Sequence, residues 1–187
     1  MGRRGDRLAA PHVAEHRLRD IFEAHADQVY AYVSHRTDVH TAEDVVAETF
    51  AIAWRRIDRV PSHALPWLLV TARKVLANEL RGEARRSALV ERIAALDADS
   101  AQSLPAAIEG KHDVLAAVSQ LSTLDQEILT VSAWYDLSAR EAARVVGCSP
   151  ATYAVRLFRA RRRLRTQLSR AGSSLALRTK NDQEVQP

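Results

Sequence analysis

LSAREAARVVGCSPATYAVRLFRARRRLR, residues Leu137 to Arg165, holds two helix starts and one helix stop. Ser138 and Glu141 stand three apart, the capping-box spacing, and open a short helix over Ala139 to Val146. Gly147 follows, a residue that tolerates the left-handed backbone found just past a helix end. Ser149 then caps a second helix, and Pro150 takes its first position, where a missing N–H costs nothing. A short helix, a tight turn containing Gly and a longer capped helix describe a helix-turn-helix, although an ordinary helical hairpin has the same outline.

Charge separates the two. Between Glu141 and Asp182 there is no acidic residue, while Arg144, Arg156, Arg159, Arg161, Arg162, Arg163, Arg165, Arg170, Arg178 and Lys180 fall in that interval. A single-sign block repels itself unless a polyanion neutralises it. At about 100° per residue, Tyr153, Leu157, Ala160 and Leu164 form one apolar stripe, opposite Val155, Phe158, Arg159 and Arg162. A helix meant only for solvent mixes Glu with its Arg to gain i,i+4 pairs, and this one has no Glu. Arginine grips a guanine edge with two hydrogen bonds or neutralises phosphate, and an exposed Phe or Val suits thymine methyl groups. These features favour a DNA-reading helix over a solvated basic face.

Working outward, the 187 residues suffice for two small domains, and the composition is globular: 47% apolar, 5% aromatic, six Gly and six Pro. Strand-type alternation is hard to find, so the expected fold class is all-α. Residues 1–14 read as a flexible arm. Leu18, Ile21, Phe22, Val29, Tyr30 and Val33 then recur at helical spacing and predict one or two helices ending near Arg36. Thr41 and Asp44 predict a helix start, followed by Ala42, Val45, Val46, Thr49, Phe50, Ala53, Trp54 and Ile57 along one face. Trp54 and Trp67 are expected in the core. After the loop Arg59 to Pro66, a helix from about Pro66 to Arg85 buries Leu68, Val70, Thr71, Val75, Leu76 and Leu80. Residues 87–110, rich in Ala, Asp, Ser and Gln, read as a flexible linker. A second domain spans 111–172, with a helix carrying Val114, Leu115 and Val118. Another, capped by Ser122 or Thr123, carries Leu124, Ile128, Leu129, Val131 and Trp134. Residues 173–187 read as a polar tail.

Catalytic and cofactor chemistry find little foothold. No phosphate-cradling GxxxxGK[ST] or GxGxxG loop is present. His12 and His16 have chelating i,i+4 spacing, but their segment shows little helical pattern. No catalytic residue, metal ligand or cofactor is expected, and the chain is not read as an enzyme. The lone Cys148 fits a reducing cytoplasm. No run approaches the roughly 18 apolar residues of a membrane span, and Met1 to His16 lacks the apolar core of a signal peptide. A cytoplasmic location without membrane insertion is therefore expected.

With these residues in view, the chain resembles the extracytoplasmic-function (ECF) group of the sigma-70 family over roughly residues 15 to 170. IFEAHADQVYAYVSHR, AEDVVAETFAIAWRRIDRV and PWLLVTARKVLANELRGEARR are similar to the helices of the family's region 2. LSTLDQEILTVSAWYDLSAREAARVVGCSPATYAVRLFRARRRLR is similar to region 4. The resemblance implies two small helical domains, a region 2 bundle and a region 4 helix-turn-helix, joined by the linker. It implies a sigma factor that binds core RNA polymerase at the clamp of the largest subunit and recognises promoter DNA. An anti-sigma factor is a common partner in the family. By the same resemblance Glu43, Asp44, Val45, Glu48, Thr49, Arg55 and Arg56 would meet the polymerase. Arg59, Ser62, His63, Arg73, Lys74, Asn78 and Arg81 would hold melted minus-ten DNA. Thr152, Ala154, Val155, Arg156, Phe158, Arg159, Arg161 and Arg162 would lie at the minus-thirty-five element. Ala154 stands where Lys or Arg is common, which implies fewer polar base contacts there.

Two other readings predict different behaviour. A free-standing helix-turn-helix regulator would bind a short, often palindromic site without polymerase. A protein-interaction module would bind DNA no less after loss of Arg159 and Arg162.

Overall fold

A computed structural model describes residues 11–94 and 117–183, with side chains described at 12–86 and 117–169. The segments 1–10, 95–116 and 184–187 lie outside the described residues, and with them most of the expected arm, most of the expected linker, Val114 and Leu115, and the end of the tail. The described residues are helical, with no strand among them. They divide into two compact units, Met1–Asp99 and Ser100–Pro187.

The first unit is a bundle of α1 (Pro11–Ser34), α2 (Val39–Arg55) and α3 (Leu65–Ala94), with a 3-10 turn at Ile57–Arg59. Each helix packs on the other two, and the 3-10 turn lies against α1. Val29, Tyr32 and Val33 meet Ala42, Val45 and Ala53, together with Leu68, Leu69, Ala72 and Leu76, all buried. The buried Thr49 hydroxyl donates to the Val45 carbonyl at 2.7 Å, so its polarity is satisfied within its own helix. Arg17 reaches from α1 to donate to the Val60 carbonyl and ties the α2–α3 loop to the bundle. Over α1, the Arg36 guanidinium lies 4.2 Å from the centre of the Tyr32 ring.

Several expectations change here. The expected one or two helices are one, which begins earlier than expected, at Pro11 inside the expected arm, with Ala14 already buried. The cap of α2 is Asp38, one turn before Thr41: Asp38 accepts the Thr41 amide at 3.1 Å and the Thr41 hydroxyl at 2.7 Å. Those two bonds, the hydroxyl's first, hold the Asp38 carboxyl down to about 2. Trp54, expected in the core, is 42% exposed. Four-residue steps drift by about 40° each, so the row Val46, Phe50, Trp54 leaves the buried stripe, and Trp54 points about 100° away from Ala53. Phe22, Leu80 and Trp134 are also exposed for residues expected on buried faces. α3 continues through residues 87–94, where the linker was expected.

In the second unit, residues 117–119 end a helix, followed by α4 (Thr123–Trp134), α5 (Ala139–Val146) and α6 (Pro150–Gln183). Ser122, not Thr123, caps α4 by accepting the Asp125 amide at 3.2 Å. The α5 capping box is complete: the Ser138 amide donates to Glu141 Oε2 at 2.9 Å, and Ser138 Oγ accepts the Glu141 amide at 3.3 Å. Gly147 has φ 76° and ψ 39°, a left-handed geometry that L side chains resist. The Cys148 amide bonds the Ala143 carbonyl at 2.9 Å and closes the helix end. Ser149 then accepts the Thr152 amide at 3.1 Å and starts α6. Ala142, Ala143, Val145 and Val146 of α5 pack with Ile128, Val131, Tyr135, Tyr153 and Ala160. α6 runs through residues 173–183, expected as an unstructured tail. Leu175, Ala176, Leu177, Arg178 and Lys180 there are intrinsically good helix formers. Among the described residues no helix is long and apolar enough to cross a membrane.

Candidate nucleic-acid interface

The α5–turn–α6 unit presents one side of α6 to solvent. Tyr153 and Ala160 are buried and Leu157 and Leu164 half-buried, so the apolar stripe is the seam by which α6 is held. Burial raises the Tyr153 phenol above its ordinary value, opposed by the positive charge of Arg161. On the far side Phe158 is 63% and Val155 50% exposed. Thr152, Ala154, Arg159, Arg161 and Arg162 are exposed around them, and Arg156 is half-buried. All eight residues expected at the minus-thirty-five element thus have solvent access. Arg163 is different: its Nη1 is 2.6 Å from Asp125 Oδ2, tying α6 to α4. Ser149 also shares a 2.8 Å hydroxyl bond with Thr152, so side chains cap the first turn of α6.

In the first unit Arg59 lies in the 3-10 turn, and Ser62 and His63 in the exposed loop after it. Lys74, Asn78 and Arg81 share one face of α3 and are exposed; Arg73, about 100° to the side, is half-buried. Arg81 donates to Asn78 Oδ1 at 2.6 Å. With its carbonyl so engaged, the Asn78 amide is oriented to donate, which suits a base or phosphate acceptor. At 1.5 Å per residue, Leu65 and Arg81 are about 24 Å apart along α3, room for several nucleotides.

On α2 and at its C-cap, Glu43, Asp44, Glu48, Arg55 and Arg56 are exposed, and Glu48 and Arg55 form an ion pair at 2.6 Å. Val45 and Thr49, expected on the same surface, are fully buried, because they point into the α1–α3 side of the helix. One apolar feature was not expected from the sequence. Phe22 and Trp54 line an open groove of about 500 Å³ with Leu18, Glu15 and Arg19. Phe22 also meets the Phe50 ring edge-on, the centres 4.8 Å apart. The wheel position of Trp54 was the signal for this groove. His12 and His16 sit on α1 after all, both exposed. Among the described residues no group of three His, Cys, Asp or Glu is arranged to hold a metal ion.

Comparison with known proteins gives these surfaces a family. Residues 21–86 match the family model described as Sigma-70 region 2, and residues 111–164 match that of Sigma-70, region 4. The ECF RNA polymerase sigma factor SigM of Bacillus subtilis is 29% identical over 156 residues, covering 82% of this chain and 96% of its own. A probable RNA polymerase sigma-C factor of Mycobacterium bovis is 31% identical over 151 residues, covering 77% of this chain and 79% of that protein. The chain belongs to the ECF sigma factors. As such it directs promoter-specific initiation by RNA polymerase, binding the core enzyme and promoter DNA. Two solved structures share the fold of this chain. RpoE of Bartonella quintana, in complex with the anti-sigma factor NepR, superposes with a TM-score of 0.57 at 23% identity, covering 81% of this chain and 96% of that one. CnrH, in complex with the cytosolic domain of CnrY, gives 0.55 at 22% identity, covering 84% and 96%.

Proposed function

We propose that this sigma factor divides promoter recognition between two surfaces, residues 15–86 engaging polymerase and the minus-ten element and residues 111–172 the minus-thirty-five element. The ridge of α6 enters the major groove. Phe158 and Val155 pack on thymine methyl or sugar edges, Arg159 and Arg162 serve guanine edges or phosphates, and Thr152, Ala154, Arg156 and Arg161 flank them. The capped N-terminus of α6 is available to a backbone phosphate. The observation that carries this reading is the pairing of a well-covered seam, Tyr153 and Ala160, with a 63% exposed Phe158 on the same helix, within its acid-free stretch 150–181. A large apolar side chain left in water among arginines is unfavourable unless a partner covers it.

In the first unit Arg59, Ser62 and His63 meet the melted strand, and Lys74, Asn78 and Arg81, with Arg73 at their edge, track its backbone. Polymerase docks on α2 through Glu43, Asp44, Glu48, Arg55 and Arg56, with the Phe22–Trp54 groove beside them as an apolar anchor for the clamp of the largest subunit. The synthesis of RNA belongs to the polymerase; the sigma factor acts in the cytoplasm, uses no cofactor and is not an enzyme. The complex of RpoE with NepR supports an anti-sigma factor as a further partner. Run-off transcription with purified core polymerase tests the reading: initiation should depend on this chain, and Arg159→Ala should reduce it on a promoter with a minus-thirty-five element. Equal initiation with and without the chain refutes it.

A further inference from the structure

The exposed face of α3 carries a contact made within its own helix. Arg81 Nε donates to the Ala77 carbonyl at 2.9 Å, and Arg81 Nη2 donates to Asn78 Oδ1 at 2.6 Å. One planar guanidinium thus holds the backbone with one prong and a side chain with another, which fixes its plane along the helix. The sequence explains why it settles there. The residues three and four positions from Arg81 are Ala77, Asn78, Ala84 and Arg85, so no carboxylate is in helical reach and Asn78 is the one side-chain acceptor. Asn78 in turn has Lys74 four residues before it and Arg81 three after it, both cations and both exposed. Its carbonyl oxygen is drawn toward positive charge, and its NH2 group is left to face outward. Turning the amide over would set N–H against N–H and lose the 2.6 Å bond.

We infer that Arg81 is a positioning residue: it holds Asn78 as a hydrogen-bond donor and so sets the base that Asn78 selects at one position of the melted strand. A fixed amide has no use against a phosphate, which accepts from every side and would orient a free Asn by itself. It matters against a base edge, where donors and acceptors alternate. An NH2 group held outward favours the keto oxygen of guanine or thymine over the amino group of adenine or cytosine. Two of the five guanidinium N–H groups of Arg81 are spent on this arrangement, so its effect on recognition runs through Asn78. Lys74, a compact charge on a flexible stem, supplies the unselective attraction on the same face. The inference rests on the minus-ten reading given above and adds to it a base preference and the residue that sets it.

The test uses holoenzyme assembled from core polymerase and the full chain, as wild type, Arg81→Ala, Asn78→Asp and Lys74→Ala. The probe is a duplex whose central eight base pairs are replaced by a random unpaired tract. Bound molecules are sequenced and compared with those held by core polymerase alone, and circular dichroism establishes that each variant is folded. Wild type should favour guanine or thymine over adenine or cytosine at one position by about five-fold, the worth of one hydrogen bond. Arg81→Ala leaves the amide free to turn and should reduce that preference to less than about two-fold, while other positions keep theirs. Asn78→Asp keeps an acceptor for Arg81 but has no donor, and should reverse the preference toward an amino base. Lys74→Ala should weaken all tracts alike and leave the preference in place. A role for Arg81 in helix stability, or as a plain cation, would likewise lower every tract together. A preference that survives Arg81→Ala, or that Asn78→Asp leaves as in wild type, therefore overturns this inference alone. Wild-type holoenzyme that enriches no base beyond core polymerase overturns the minus-ten reading and this inference together.

Discussion

Tyr153 and Phe158 lie five residues apart on α6 and should respond to truncation in opposite ways. Tyr153 is 4% exposed and packs in the seam. Tyr153→Ala should therefore cost about 3–5 kcal/mol, as for other large buried aromatic residues. For a unit of this size that lowers the melting temperature by roughly 12 °C or more. Phe158 is 63% exposed, so the fold covers only about a third of it. Full burial of such a side chain is worth about 2–3 kcal/mol, and Phe158→Ala should cost the fold about 1 kcal/mol or less. Its loss should instead appear at the promoter. An apolar contact to a base edge is worth about 1–2 kcal/mol, which corresponds to roughly a ten-fold drop in initiation at limiting sigma factor. The assays are thermal unfolding of the full chain by circular dichroism and run-off transcription with core polymerase. Should Phe158→Ala melt as early as Tyr153→Ala, the ridge is part of the core. If it melts normally and transcribes like wild type, Phe158 does not touch DNA. Either result defeats the argument from exposure.

Other expectations follow from single contacts. Arg163→Ala strands the buried Asp125 carboxylate and should destabilise the second unit by about 1–2 kcal/mol in urea titrations, a value moderated by the 57% exposure of the Arg163 side chain. Trp54→Ala, at a site 42% exposed, should leave the melting curve within a few degrees of wild type while weakening core polymerase about ten-fold in a surface-binding assay. The Asp38 carboxyl is held down to about 2 from 3.8, so the ionised cap stabilises the native state at neutral pH and that contribution is lost as pH falls from about 4 toward 2. Asp38→Asn keeps a neutral cap, and the pH dependence of its melting should be shallower than that of wild type across that window.

The local pattern of residues determined most of the secondary structure and the helix-turn-helix. Capping and left-handed turns depend on groups three to five residues apart, so Ser138, Glu141, Gly147 and Ser149 were legible before any packing was known. The same holds for the seam and ridge of α6, where a 3.6-residue period and a run without acids need no neighbour to be seen. Tertiary packing decided what that pattern leaves open. Whether Trp54 is core or surface depends on which sector of α2 its neighbours cover, and a row of four-residue steps drifts out of that sector within two turns. Val45 and Thr49 were carried to a partner-facing surface by resemblance, but packing turned them inward. The bond from Arg163 to Asp125 joins residues 38 apart in the chain. No periodicity could separate Arg163 from the arginines beside it; only the approach of α4 to α6 gave it a different role.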